Sequence, residues 1–333
     1  MPSEQESNPE GAESAPRRTW LLHDGKAGNL SQLAGLAGAI GGQALTARAT
    51  VDLPWSLLPG GWWRRGIAPR PTGLPVGPWP DFAIGAGWRT GRTALWVRAA
   101  SSGRALPRRT LAVQILDCGL DPGLFDLVTV PRHDRLRGAN VVLTDGAIHK
   151  VTPAALAAAA AQWAPHLAHL PRPLVAVLIG GNSRAYRMTE EAARRLAEAA
   201  MALNRDHGAG LAVTASRRTG PAAGAILRQG IRGPGVAFWD GQGDNPYLGY
   251  LALADAILVT SDSVSMPSEA SATGRPVHIF ELPGGSDKFA RFHAHFRALG
   301  ITRPFDGRLE DWSYQPPDDA GRVAAALLRL RSP

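Results

Sequence analysis

The stretch LADAILVTSDSVSMPSEASATGRPV, residues 253–277, runs from an apolar segment into small hydroxyl and acidic residues, then into a second apolar segment. AILVT has the β-branched character of a buried strand, whereas SDSVS is too polar for a core and marks the strand's end. Pro267 suits the first turn of a helix beginning at about Ser265. The order is therefore strand, polar loop, helix and strand, the repeating unit of a parallel α/β sheet.

The same alternation extends in both directions. In the second half, PLVAVLIGG, GLAVTASRRT, GVAFWDG and PVHIFELPG read as further strands with helices between them. In the first half, RTWLLHDG reads as a strand and turn, NLSQLAGLAGAIGG as a helix, and PDFAIGAG, LAVQILD and DLVTVPRHD as strands. Two similar halves result. The Ala-rich run TPAALAAAAAQWAPHLAHLPRP separates them, and its closing prolines stop a helix. The expected organisation is a disordered acidic tail over 1–16, an N-terminal Rossmann-like domain over 17–169 and a C-terminal one over 170–315. A helix over 316–333 is expected to pack back on the first domain.

At 333 residues and 44% hydrophobic content, the chain has enough length for two cores. A net charge of +8 invites a nucleic-acid reading, but the arginines are scattered and only Lys26, Lys150 and Lys288 are lysines. Nucleic acid is set aside, and arginine's bidentate match to phosphate points to a small phosphorylated partner. The single Cys118 excludes an internal disulfide and fits a reducing compartment. No metal site is expected, because the histidines lack ligand spacing; His293 and His295 face different ways on a helix. Arg17-Arg18 precedes too short an apolar run for a signal, and no segment is long enough to span a membrane. The expected location is the cytoplasm.

In open parallel sheets, ligands bind beyond the carboxyl ends of the strands. Gly180, Gly181, Asn182 and Ser183 follow one strand; Ser216, Arg217, Arg218 and Thr219 follow another; Ser261 to Ser265 follow a third. Small residues let N–H groups approach phosphate and arginine adds charge, so this edge reads as an anion cradle. Glu269, one turn into the next helix, suits the two hydroxyls of a ribose, although helix capping alone also favours an acid there. IGAGWRTG fails the dinucleotide fingerprint because Thr90 stands where glycine is required, and Lys26 is followed by Ala27 rather than by the hydroxyl of a phosphate loop. A dehydrogenase, an ATPase and an epimerase built on a Tyr-Lys pair are therefore disfavoured.

HDGKAGNLSQ, PRHD, IGGNSRAYRM, TASRRT and the 245–277 block together resemble the elongated-mitochondria fission-protein family, whose bacterial members resemble glycosyltransferases of the GT-B fold. The resemblance runs from about Trp20 to near the C-terminus and implies two Rossmann-like domains facing across a cleft. It implies a UDP-, GDP- or CMP-type nucleotide sugar, with no tightly bound cofactor, in the C-terminal half. Ser263, Val264, Ser265 and Met266 would meet the diphosphate, Glu269 the ribose, and Arg217 or Arg218 would replace a metal at the leaving group. Gly181, Asn182, Ser183 and Ser216 would close the cradle, and Asn245 and Tyr247 would approach the donor.

Transfer needs a base for the acceptor hydroxyl. His23, Asp24, His133 and Asp134 each follow a first-half strand, and Asp24 is the first choice. The acceptor would be a cell-envelope glycan or glycolipid. Trp62, Trp63, Arg64 and Arg65 lie in a Pro- and Gly-rich segment suited to the inner face of the cytoplasmic membrane, or to packing of its own tryptophans. The alternative function is a non-catalytic adaptor, as plant members of the family are associated with recruiting the fission machinery.

Overall fold

A computed structural model describes residues 16–49, 51–52, 54–65, 67–102 and 109–331; the tail expected over 1–16 lies outside them except for Pro16. Twelve strands form two parallel six-stranded sheets. The first contains β1 (Arg18–Leu22), β2 (Gln43–Ala47), β3 (Phe82–Ala86), β4 (Leu111–Ile115), β5 (Leu127–Pro131) and β6 (Val141–Thr144), ordered β2-β1-β3-β4-β5-β6. The second contains β7 (Leu174–Ile179), β8 (Gly210–Ala215), β9 (Val236–Trp239), β10 (Ala256–Thr260), β11 (Val277–Phe280) and β12 (Thr302–Pro304), ordered β12-β11-β10-β7-β8-β9.

The central strands β3, β4, β7 and β10 are buried along their whole length, as both faces of a parallel sheet are covered. In register, Leu258 of β10 lies opposite Val177 of β7 and His278 of β11. The sequence reading missed β2, β6 and β12. Each lies at a sheet edge; β2 is exposed from Gln43 to Thr46, and β6 and β12 are only four and three residues long.

Helix boundaries follow local chemistry. In α5 (Glu190–His207) the Thr189 hydroxyl accepts from Ala192 N, Glu190 and Glu191 occupy the first turn, and Gly208 closes the helix at φ 62°. Helix α4 (Pro153–Leu167) begins with Thr152 capping Ala155 N and with proline at its first position. It precedes the boundary drawn near Leu170, yet it packs on α7 (Tyr247–Leu253), and Leu167 joins the second-sheet core with Leu174 and Leu251. Gly249 makes that contact possible, since a Cβ there would sit 2.3 Å from the Trp163 ring. Helix α10 (Asp319–Arg329) lies against α1 (Ala27–Ile40), placing Val323 and Leu327 beside Leu33 and Leu36.

The Trp-rich segment takes the place of a long crossover helix. Its described residues contain a 3-10 turn (Trp55–Leu57) and the short helix α2 (Gly60–Arg64), with Trp63 fully buried and the Trp79 ring tilted against Trp20 and Trp96 at 5.7 and 6.3 Å. Trp62 alone of the Trp62-Trp63 pair is exposed, so Trp63 is a core residue and is unavailable to a membrane.

Candidate functional site

The loops after β7, β8 and β10 converge and are cross-linked by a buried carboxylate. Asp262, 2% exposed, accepts from Gly181 N at 2.9 Å, from the Thr260 hydroxyl at 2.6 Å and from Arg218 Nη1 at 2.6 Å. The fit excludes side chains: a Cβ on Gly180 would lie 2.2 Å from Asp262 Oδ1, and one on Gly181 would lie 2.1 Å from the Arg218 carbonyl. Asn182 N donates to Arg218 O and Ser183 N to Tyr186 O. The N–H groups of Gly181, Asn182 and Ser183 are thus occupied within the protein, where the sequence reading had them close a phosphate cradle. Their side chains also shape the loops, as Asn182 Oδ1 accepts from Met188 N and Ser183 Oγ from Ala185 N and Tyr186 N. The Ser216 hydroxyl donates to Gly180 O and caps Arg218 N.

What remains open lies beside α8 (Ser265–Ser271). The N–H groups of Ser263, Val264 and Ser265 have no acceptor among the described residues, while Ser263 Oγ accepts from Met266 N. A cavity of about 600 Å³ extends from Met266 toward the end of β9, lined by Arg217, Asn245, Tyr247, Phe238 and Trp239. Arg217 faces this space, whereas Arg218 is committed to Asp262. Asn245 Oδ1 accepts from Tyr247 N, which fixes the start of α7 at the cavity rim.

Glu269 occupies the seam between the halves. The Tyr247 hydroxyl donates to one carboxylate oxygen at 2.7 Å, and the Ser31 hydroxyl of α1 donates to the other at 3.4 Å. Burial pushes its pKa above the ordinary value of 4.5, against the lowering effect of Tyr247, Ser31 and the Lys150 charge. Sequence reasoning had not singled out Ser31 or Lys150, because neither follows a second-half strand.

In the first half, His23 Nδ1 accepts from Gly25 N, and Asp24 accepts from Asn29 Nδ2 at 3.0 Å with Lys26 Nζ at 3.5 Å. Burial raises the Asp24 pKa, but hydrogen bonds from Lys26 N and Asn29, with the Lys26 charge, outweigh it and hold the carboxyl below 3.8. Asn29 also donates to Ala86 O, so the HDG turn and the glycine-rich end of β3 are brought together. His133 and Asp134 lie elsewhere, against α9 (Asp287–Ala298). His133 is 3% exposed with its ring edge-on to Phe292 at 5.3 Å, and Asp134 pairs with Lys288 at 2.5 Å. Both are thus engaged with α9, away from the HDG turn.

Burial pushes the His133 pKa down to about 4, aided by Lys288 and Arg291 and opposed by Asp134. The unfolded chain therefore takes up its proton first as pH falls through 6.5, and the folded state loses stability until about pH 4. The expected loss is about 3 kcal/mol at 1.36 kcal/mol per pKa unit. Urea denaturation of wild type and His133→Gln between pH 7 and 4 measures it as the difference between their slopes.

Ser31 lies within a stretch that carried the family resemblance, and Phe238 and Trp239 end a strand that was already identified; the strand-end rule applied to β9 finds them. Among solved structures, the UDP-GlcNAc 2-epimerase of Methanocaldococcus jannaschii matches 94% of this chain and 99% of its own, with a TM-score of 0.56 at 10% identity. The structure of the Methanocaldococcus jannaschii enzyme in complex with UDP-GlcNAc and UDP matches 95% and 99% at a TM-score of 0.52 and 11% identity. These likenesses show the fold, two Rossmann-like domains in the GT-B-type arrangement. In sequence, Mitochondrial fission protein ELM1 of Arabidopsis thaliana is 33% identical over 258 residues, 69% of this chain and 60% of the plant protein. A Rickettsia prowazekii protein, RP120, is 26% identical over 287 residues, 74% of this chain and 79% of its own. The model of the mitochondrial fission ELM1 family matches residues 27–330, and the chain belongs to that family.

Proposed function

We propose that the protein is a glycosyltransferase that moves a sugar from a nucleotide-sugar donor to a cell-envelope glycan or glycolipid. The observation that carries this reading is the cavity of about 600 Å³ beyond β8 and β9, lined by Phe238, Trp239, Tyr247 and Arg217 and reaching α8 at Met266. The base and ribose occupy the cavity, and the diphosphate meets Arg217 and the N–H groups of Ser263, Val264 and Ser265. Arg217 supplies the positive charge that a divalent cation supplies in other transferases. When the bond from the anomeric carbon to the diphosphate breaks, these groups hold the departing charge, and the acceptor oxygen bonds to that carbon. Asp24, kept ionised at neutral pH by its hydrogen bonds, takes the acceptor's proton. Glu269, which lies behind the cavity wall at Tyr247, holds the ribose once Tyr247 and Ser31 give way.

Thermal denaturation against UDP, GDP, CMP, ADP and dTDP, with NAD as control, tests the reading. A nucleotide present at a hundred times its dissociation constant adds about 2.7 kcal/mol if it binds only the folded state. Transfer is then measured with the sugar form of the stabilising nucleotide and an envelope extract. Stabilisation with conversion of the donor sugar, but without transfer, makes the protein an epimerase. No stabilisation by any nucleotide favours an adaptor, the reading that the family's description supports.

The acceptor half is proposed to rest on the inner face of the cytoplasmic membrane. Trp55, Leu57, Trp62 and Ile67 are exposed around α2, with Arg64 and Arg65 beside them. Among the described residues no helix is long and apolar enough to cross a membrane. Replacing Trp55, Leu57 and Trp62 by serine, with buried Trp63 retained, is expected to reduce cosedimentation with anionic liposomes at least tenfold. Unchanged cosedimentation removes the membrane contact.

A further inference from the structure

The wall of the cavity at the end of β9 has a feature that the donor reading does not use. Asp240 and Arg228 both line the cavity, one on the loop after β9 and the other on α6 (Pro221–Gly230). Neither forms an ion pair among the described residues. The turn at Gln242 fixes the loop: its N–H donates to Asp240 Oδ1 at 2.8 Å, and its carbonyl accepts from Trp239 Nε1 at 2.8 Å. The indole and the carboxylate are thereby held by the same residue. Arg228 lies along the helix beside Gly224, its Nη1 3.5 Å from where a Cβ would stand, an ordinary packing distance.

We infer that the donor's base is guanine. The inference rests on the nucleotide-sugar reading and narrows it to a guanosine diphosphate donor. Guanine is the base that presents two acceptors, O6 and N7, on one edge and two donors, N1–H and the 2-amino group, on the next. The first pair matches the guanidinium fork of Arg228, and the second matches a carboxylate such as Asp240. Uracil places its one donor between two carbonyl oxygens, so a carboxylate there meets their lone pairs. Adenine has no edge with two adjacent acceptors for Arg228, and cytosine, which offers O2 and N3, has no pair of adjacent donors for Asp240. The Trp239 and Phe238 rings stack on any base and contribute affinity without choosing one.

Calorimetric titration of the full chain with GDP, UDP, CDP and ADP tests the inference, together with xanthosine diphosphate, in which a carbonyl replaces the 2-amino group. Wild type is expected to bind GDP at least tenfold more tightly than UDP. Arg228→Met is expected to remove that preference. Asp240→Asn is expected to weaken GDP at least tenfold and to strengthen xanthosine diphosphate, because the new amide donates to the new carbonyl. A gain for xanthine cannot come from misfolding, and both side chains are exposed enough to replace without disturbing the core. UDP, CDP or ADP binding as tightly as GDP overturns the guanine assignment and leaves the donor reading standing. An unchanged GDP-to-xanthosine diphosphate ratio in Asp240→Asn does the same. Binding of none of these, nor of CMP, overturns both.

Discussion

Asp262→Ala lowers the unfolding free energy by about 3 to 5 kcal/mol, the range for breaking a buried ion pair from one side. The carboxylate is 2% exposed and holds three groups at once: Gly181 N–H, the Thr260 hydroxyl and Arg218. Alanine leaves the first two buried without an acceptor. Arg218, whose side chain is 42% exposed, turns outward to water, which places the loss toward the lower end of the range. Urea denaturation measures this directly. The Asp262 oxygens are already taken by those three groups, so at a temperature where the variant is folded its nucleotide affinity is expected to stay within threefold of wild type. A stable variant with abolished binding makes Asp262 a ligand instead of a cross-link.

Glu269→Gln is expected to behave in the opposite manner, weakening nucleotide binding about a hundredfold with little change in stability. A carboxylate that takes both hydroxyls of a ribose contributes on the order of 3 kcal/mol through two charge-assisted hydrogen bonds. The amide still accepts from Tyr247 but no longer presents two equivalent oxygens. Burial raises the Glu269 pKa, so an ionised group there carries a desolvation cost that glutamine removes. The sign in pH follows: nucleotide affinity falls as pH drops through the raised pKa, and the variant loses this dependence. Calorimetric titration with the stabilising nucleotide between pH 5 and 8 checks both parts. Equal affinity in variant and wild type assigns Glu269 to the Ser31 contact alone.

That contact also explains why half of the site was hard to read. Strand ends at β7, β8 and β10 are legible, because buried runs such as VAVLI and AILVT stop abruptly at small polar residues. Which of those residues face outward is not legible. Arg217 and Arg218 are adjacent and alike in sequence, yet one lines the cavity and the other neutralises Asp262. Asn182 and Ser183 have the composition of an anion loop, but their polar atoms are used to hold the turn to Met188. His133 follows a strand as His23 does, and only the packing of α9 separates the buried residue from the open one.

By itself the sequence determined two parallel α/β halves, the edge at which the loops converge and the position of Glu269. These follow from local period, from the stop of each apolar run and from proline and hydroxyl residues at helix starts, all of which act over a few residues. Tertiary structure alone decided that α4 packs with the second sheet, that Trp63 is core and Trp62 surface, and that Ser31 meets Glu269 from 238 positions away. Such contacts depend on how whole elements are oriented, and free energy of burial is indifferent to distance along the chain.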